Sequence, residues 1–361
     1  MSRVEDFTVH AKEAVLPFHH GALALSLIAL AGGAMLLSCN APPQERAPPE
    51  RKAEASATPS RDDLAKDNAL FLAGATRALK WEEPTEPAKL VGPIYYVGTQ
   101  GLGSYLISTP DGLILLGTGT PASGPMIAES IQKLGFKPED IKVLLTWHAH
   151  ADHAGALAYF KQLAPGAQVA IMAPDVASIE DGGKSDFHYG WDWRTMGWPG
   201  VKVDRVLHDG DKVTLGDVTL TALATPGHTR GDTSWTTTVT DNGKTYNVVW
   251  PDGLSVNPGY RLARNPSYPG IADDYRRTGE RLAALKPDIW LVSHTERFGL
   301  DAKRARATTA GAEAFVDREG YAAYIQSQRD AVQAEIERET AASSTEDGVR
   351  RGPAPESERA E

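Results

Sequence analysis

Thr146-Trp147-His148-Ala149-His150-Ala151-Asp152-His153 places four metal-binding side chains, His148, His150, Asp152 and His153, within six residues. The stretch follows the apolar, β-branched run Ile141–Trp147 and precedes the helical pattern Gly155–Leu163, so it falls where a buried strand ends and a helix begins. Extended backbone projects His148 and His150 on one face, and a turn after them can redirect Asp152 and His153 toward a second position beside the first. Imidazoles with one carboxylate suit zinc, and two such ions about 3.5–4 Å apart form a hydrolytic clamp. The spacing differs from the helical H-E-x-x-H arrangement.

A catalytic zinc takes about four ligands and keeps one place for water, so four residues are too few for two ions. His228, after Thr225-Pro226-Gly227, and His294, after the buried run Ile289–Ser293, also stand at strand ends, and three strand ends can converge on one rim. The chain has ten histidines; apart from His10, His19 and His20 near the start, only His188 and His208 fall outside this set. His188, beside the aromatic run Tyr189–Trp193, reads as a loop residue near the site, and His208 in Leu207-His208-Asp209-Gly210 as a turn.

Working outward, Gly92–Val97, Gly103–Thr109 and Gly112–Leu116 read as an antiparallel meander. Helical spacing over Pro125–Leu134, the strand into the cluster, the helix Gly155–Leu163 and the strand Gln168–Met172 complete βαβαβ, the pattern of an α/β layer. Downstream, Val201–His208, Lys212–Leu215 and Val218–Leu223 read as strands, and Asp241-Asn242-Gly243 turns a hairpin between Ser234–Thr240 and Thr245–Trp250. A helix Ile271–Leu285 then feeds the strand Ile289–Ser293. Two such half-units predict an α/β fold in which sheet stacks on sheet with helices outside.

The ends differ in character. Gly21–Ser38 is uncharged, rich in Leu and Ala, and followed by the chain's one cysteine, Cys39, which resembles the lipobox of bacterial lipoproteins. Residues 1–39 are expected to be a signal peptide with lipidation at Cys39, the alternative being a plain membrane anchor with an idle thiol. Acids at Glu5, Asp6 and Glu13 suit a translation start further in. Residues 40–64, rich in Pro, Ala and Glu, are expected to be a disordered tether, 65–340 the catalytic domain, and 341–361 a disordered charged tail. The expectation is a periplasmic protein held to the outer membrane by its N-terminal lipid, Asn40 being unlike an inner-membrane retention signal; one cysteine permits no internal disulfide. A formal net charge of −10 argues against nucleic acid as a partner and favours small-molecule substrates.

The chain resembles the metallo-β-lactamases of subclass B3. Besides the cluster, the resemblance lies in Tyr96-Val97-Gly98-Thr99, Ser104-Tyr105-Leu106-Ile107, Thr225-Pro226-Gly227-His228-Thr229, Val256-Asn257-Pro258-Gly259-Tyr260, Phe298-Gly299-Leu300 and Phe315-Val316-Asp317. It implies a four-layer αββα sandwich with two Zn2+ per chain, the first on His148, His150 and His228, the second on Asp152, His153 and His294. It implies hydrolysis of the β-lactam amide by a metal-bound hydroxide that Asp152 also orients, with no covalent acyl-enzyme, and a Ser255 hydroxyl meeting the substrate carboxylate. The segment Gly182–Trp198, with Phe187, Tyr189, Trp191, Trp193 and Trp198, resembles a loop flanking the site, although core packing would equally account for several of these rings.

Two positions depart from the family. Leu116-Gly117-Thr118-Gly119 stands where the family has Asp-Thr-Gly, and Gly253 stands where the subclass has serine. A missing carboxylate behind a ligand lowers metal affinity. Asp252 keeps a second reading open, since lactonases and glyoxalase-type thioesterases of this fold use a bridging aspartate in that turn; otherwise it is a solvated acid of a Pro-Asp-Gly turn. A degenerate, non-catalytic metal-binding member is the remaining alternative, and Gly117 is the residue in its favour.

Overall fold

Successive side chains along two adjacent strands divide between two cores, and that division sets the layers. In the computed structural model, which describes residues 60–350 with the side chains of 343–350 excepted, Ile114, Leu116, Val143 and Leu145 join one apolar cluster. Their neighbours Leu113, Leu115 and Leu144 join the other. Period-two alternation with both faces apolar is what a strand covered on both sides requires.

The first sheet has seven strands in chain order: β1 Ala88–Val91, β2 Ile94–Tyr96, β3 Tyr105–Thr109, β4 Gly112–Leu116, β5 Ile141–Leu145, β6 Gln168–Met172 and β7 Arg205–Leu207. Pairing is antiparallel from β1 to β4 and parallel from β4 to β7. The second sheet adds β8 Lys212–Leu215, β9 Val218–Ala224, β10 Thr233–Asp241, β11 Lys244–Trp250 and β12 Ile289–Trp290, ordered β12-β11-β10-β9-β8. Asp241 pairs with Lys244 across Asn242-Gly243, both at positive φ, 48° and 79°, so the hairpin closes through the two-residue turn that suits strand twist.

Trp235, Val248, Trp250, Leu220 and Ala222 of the second sheet share the inner core with the inward residues of the first. Among the helices, α1 is Arg61–Ala78, α2 Gly124–Lys133, α3 Ala151–Ala154, α4 Leu157–Leu163, α5 Val176–Asp181, α6 Trp193–Met196, α7 Ile271–Ala284, α8 Leu300–Ala310 and α9 Arg318–Arg350. Ile127 and Ile131 of α2 and Phe160 of α4 cover the outer face of the first sheet. Tyr275 and Leu282 of α7 with Tyr321 and Ile325 of α9 pack with the second. The expected αββα sandwich is the architecture.

Several elements differ from their sequence expectation. The strand expected over Val201–His208 is paired only at Arg205–Leu207, and that over Ile289–Ser293 only at Ile289–Trp290. In the latter the backbone changes partner: Tyr105 Oη donates to the Val292 carbonyl at 2.8 Å and Gly103 N to that of Ser293 at 2.8 Å. The segment thus crosses to the loop before β3 and brings His294 with it. Strand β1 and helix α1 were not anticipated. Helix α1 begins inside the expected tether, capped by Ser60 Oγ accepting from Asp63 N at 3.2 Å with Asp62 and Asp63 in its first turn. It buries none of its residues, which is why periodicity does not reveal it. The boundary expected at 65 therefore moves to the start of this helix. At the other end α9 continues to Arg350, past the expected boundary at 340, so the tail's first residues are helical. The expected signal peptide 1–39 with Cys39, the tether up to residue 59 and the tail from 351 lie outside the described residues. Among the described residues no helix is long and apolar enough to cross a membrane.

Candidate metal centre

The cluster forms where chain ends of both sheets meet. Strand β5 stops at Leu145, and the chain then bends over Trp147–His150, where His150, itself extended, caps α3: the amides of His153 and Ala154 donate to the His150 carbonyl at 3.1 and 2.8 Å. Strand β9 leads to His228, β11 to Asp252, and the crossing after β12 to His294. Asp175 ties two of these loops, accepting from Ala149 N at 3.0 Å, Gly231 N at 2.7 Å and Thr229 Oγ1 at 2.7 Å. The His228 amide donates to the Gly253 carbonyl at 3.2 Å and joins a third.

His148, His150 and His228 bring one ring nitrogen each into a group of mutual separations within 4.8 Å; His150 Nδ1 and His228 Nε2 lie 3.0 Å apart. The outer nitrogens of His148 and His228 have an acceptor behind them, and that of His150 faces a carboxylate without a hydrogen bond. His148 Nδ1 lies 2.7 Å from Asp252 Oδ2 and 3.2 Å from Asp232 Oδ1. His228 Nδ1 donates to the Ser255 carbonyl at 2.8 Å, and His150 Nε2 is 3.4 Å from Asp186 Oδ2. At His228 the carbonyl partner places the N–H on the outer nitrogen and leaves a lone pair on the inner one, the tautomer a metal needs, whereas at His148 burial is outweighed by Asp252 and Asp232, which hold the ring well above the ordinary imidazole range.

The second group is Asp152 with His153 and His148, and His294 approaches Asp152 without joining the set of atoms that all lie within 4.8 Å of one another. Asp152 Oδ2 is 3.1 Å from His153 Nε2 and 3.5 Å from His294 Nε2. The rings stand edge to face with centroids 4.5–4.9 Å apart from His228 through His148 and His153 to His294. Here the outer nitrogens are bare: His153 Nδ1 and His294 Nδ1 are buried without a hydrogen-bond partner.

Electrostatics fit a cation. Burial pushes His228 and His294 well below the ordinary imidazole range, with His148 and Arg297 respectively the next largest influences in the same direction. Burial also lowers His153. Burial alone would raise the Asp152 carboxyl, but His153 and His294 outweigh it and hold it well below its usual value. Asp252 likewise stays ionised, burial being outweighed by His148, whereas burial dominates at Asp232 and raises it. Two acids against one buried imidazole, the lowered rings of His228, His153 and His294, and His148 Nε2 buried with no hydrogen-bond partner make a site whose donors are in place for metal ions.

A cavity of about 830 Å³, open to solvent, stands over the cluster. Trp81, with its ring centroid 5.6 Å from that of His294, and Phe71, Leu72 and Ala75 of α1 form one apolar wall. The loop Gly182–Trp198 forms the other, and its rings divide as the two readings allowed. Tyr189 and Trp198 are buried, Phe187 packs on the inner core, and Trp191 and Trp193 are exposed. Ser255 lines the cavity, its Oγ 3.3 Å from His228 Nδ1. His188 lies beside Tyr189 and Tyr260, near the site as expected, and His208 is exposed in its turn.

Both departures have a backbone cause. Gly117 has φ +77°, and a Cβ there would lie 2.2 Å from the Trp147 ring; Gly253 has φ +98°, and its Cβ would lie 1.9 Å from the Thr225 carbonyl oxygen. Neither position holds an L side chain in this backbone. Asp252 is no solvated turn acid but a buried acceptor behind His148.

A two-sheet sandwich with a buried histidine and aspartate cluster at its rim defines a metal-dependent hydrolase. A sequence profile of the metallo-β-lactamase superfamily matches residues 104–241. The native FEZ-1 metallo-β-lactamase of Legionella gormanii is 43% identical, superposes with a TM-score of 0.70 and aligns over 72% of this chain and 98% of its own. The subclass B3 enzyme BJP-1 of Bradyrhizobium japonicum is 41% identical, with a TM-score of 0.68 over 73% of this chain and 98% of its own. The chain belongs to the metallo-β-lactamase family, in subclass B3. Curated relatives include the acyl-coenzyme A thioesterase MBLAC2 of Gallus gallus, 32% identical over 27% of this chain and 37% of its own length. Another is the N-acyl homoserine lactonase AttM of Agrobacterium fabrum, 29% identical over 30% and 40%. The chain thus spans well under half the length of these two.

Proposed function

We propose that this protein is a two-zinc β-lactamase that opens the lactam amide of β-lactam antibiotics. The observation that carries the reading is the near-complete coverage of metallo-β-lactamases at 41–43% identity, against 37–40% of the length of the thioesterase and the lactonase. The orientation of Asp252 agrees with it, since that carboxylate is engaged by the outer nitrogen of His148.

In this reading His148, His150 and His228 hold the first zinc, and Asp152, His153 and His294 the second. Bound zinc in such a site polarises a carbonyl and acidifies water. Asp152, at the cavity floor, orients the attacking water; no serine, cysteine or lysine is needed as nucleophile. The Ser255 hydroxyl meets the substrate carboxylate, and the apolar walls exclude solvent from the lactam. Residues 1–39 direct export and Cys39 carries the lipid, placing the domain in the periplasm on the outer membrane. Replacing Cys39→Ser should release the protein from the membrane fraction, and unchanged membrane association would refute lipidation.

The deciding assay is hydrolysis of a penicillin, a cephalosporin and a carbapenem by zinc-loaded protein, lost with chelator and restored by zinc. No turnover of any of them by protein carrying about two zinc ions would refute the reading. Turnover of an N-acyl homoserine lactone or an acyl thioester instead would establish the alternative suggested by the curated relatives.

A further inference from the structure

Arg297 is the one Lys or Arg among the described residues lining the cavity over the metal cluster. It closes the short turn Thr295–Arg297 directly after His294, so the chain crossing that delivers a metal-binding imidazole also delivers a guanidinium. The side chain is only 27% exposed, yet its charge is weakly matched. Nη1 donates to Tyr324 Oη at 3.4 Å, and Nε stands 3.7 Å from Glu296 Oε1, too far for a close carboxylate fork. The acids that share the cavity are engaged elsewhere, Asp152 with His153 and His294 and Asp186 with His150. A half-buried guanidinium with spare donors, facing a cavity whose walls are largely apolar, is suited to bind an anion in fork geometry.

We propose that Arg297 determines specificity by binding the carboxylate of the substrate, so that the site selects anionic substrates over neutral ones of the same shape. The inference rests on the β-lactam reading, because the carboxylate beside the lactam ring is the anionic group that penicillins, cephalosporins and carbapenems share. Neutral acyl lactones have none. Ser255, also on the cavity wall, supplies a hydroxyl but no charge.

The test uses the full chain loaded with zinc and a cephalosporin paired with its neutral methyl ester. In Arg297→Gln, KM for the acid should rise roughly tenfold or more with kcat changed far less, since a charge-assisted contact formed equally with substrate and transition state is lost. KM for the ester should stay close to that of the unaltered protein, Arg297→Lys should recover part of the acid's affinity, and zinc content should not change. Equal losses for acid and ester, or a fall in kcat alone, would overturn the proposal and make Arg297 a support for His294. Should the unaltered protein hydrolyse neither compound, the β-lactam reading fails by itself. Calorimetric titration with the same pair still decides on Arg297: tighter binding of the acid, abolished in Arg297→Gln, supports it, and no preference for the acid overturns it.

Discussion

Replacing Asp252→Asn tests the geometry of the first metal group without changing side-chain volume. Asp252 Oδ2 sits 2.7 Å from His148 Nδ1, both side chains being buried. A charge-assisted hydrogen bond of this kind contributes about 1.5–3 kcal/mol. Asparagine keeps an acceptor oxygen, and Asp232 Oδ1 at 3.2 Å can take part of the load, so the loss should fall near the lower end. At about 1.4 kcal/mol per decade, the first zinc should bind roughly tenfold more weakly. Competition with a chromophoric chelator resolves two successive dissociation constants, and the tighter should weaken while the looser changes less. Unchanged affinity for the first zinc would remove Asp252 from any orienting role. Loss of a whole equivalent of zinc would make it a ligand, and the engagement with His148 would then be wrong.

Gly117→Ala should destabilise the zinc-free protein by about 2–4 kcal/mol, combining a β-carbon at positive φ with overpacking against Trp147. Thermal denaturation checks this, and an unchanged Tm would mean that the indole has room to move. Asp317→Asn leaves the Lys303 ammonium, 7% exposed and 2.8 Å from Asp317 Oδ2, buried beneath Trp290 and Phe298 without its counter-ion. Asp317 is itself 32% exposed, so solvent screening reduces the expected cost to about 2 kcal/mol in urea denaturation. At Asp317 burial raises the carboxyl, but Lys303 and the Gly320 amide outweigh it and hold it below 3.8. Its stabilisation is therefore complete above that value and lost as pH falls through the folded value, so the variant should show a smaller loss of stability below pH 3.8 than the unaltered chain. Equal acid slopes for the two proteins would contradict this assignment.

The sequence made the strands and the six metal-binding residues legible because local rules act there. Alternation fixes β3 to β6, Asn242-Gly243 fixes the hairpin, and ligands spaced at strand ends converge wherever those ends share a rim. The acceptors behind the ligands were not legible in this way. Asp252 lies 104 residues from His148, and no local rule tells an acid that caps a turn from one that faces a distant imidazole. Helix α1 escaped for a related reason. Its apolar residues Phe71, Leu72 and Ala75 face the cavity, so they carry no core-facing stripe to detect.

Gly117 shows most directly what spacing alone leaves out. Read as a missing carboxylate, it suggested a weakened site without saying which of the two groups would suffer. In the structure the outer nitrogens of His148 and His228 have acceptors within hydrogen-bonding distance and that of His150 faces Asp186 at 3.4 Å, while those of His153 and His294 have none, and the indole of Trp147 fills the space beside Gly117. An imidazole with a bound outer N–H is fixed in tautomer and angle, whereas a bare one must be ordered by the metal itself. The rings with no acceptor near the outer nitrogen are therefore those of His153 and His294. The two dissociation constants should differ in the unaltered protein, with the looser one belonging to Asp152, His153 and His294.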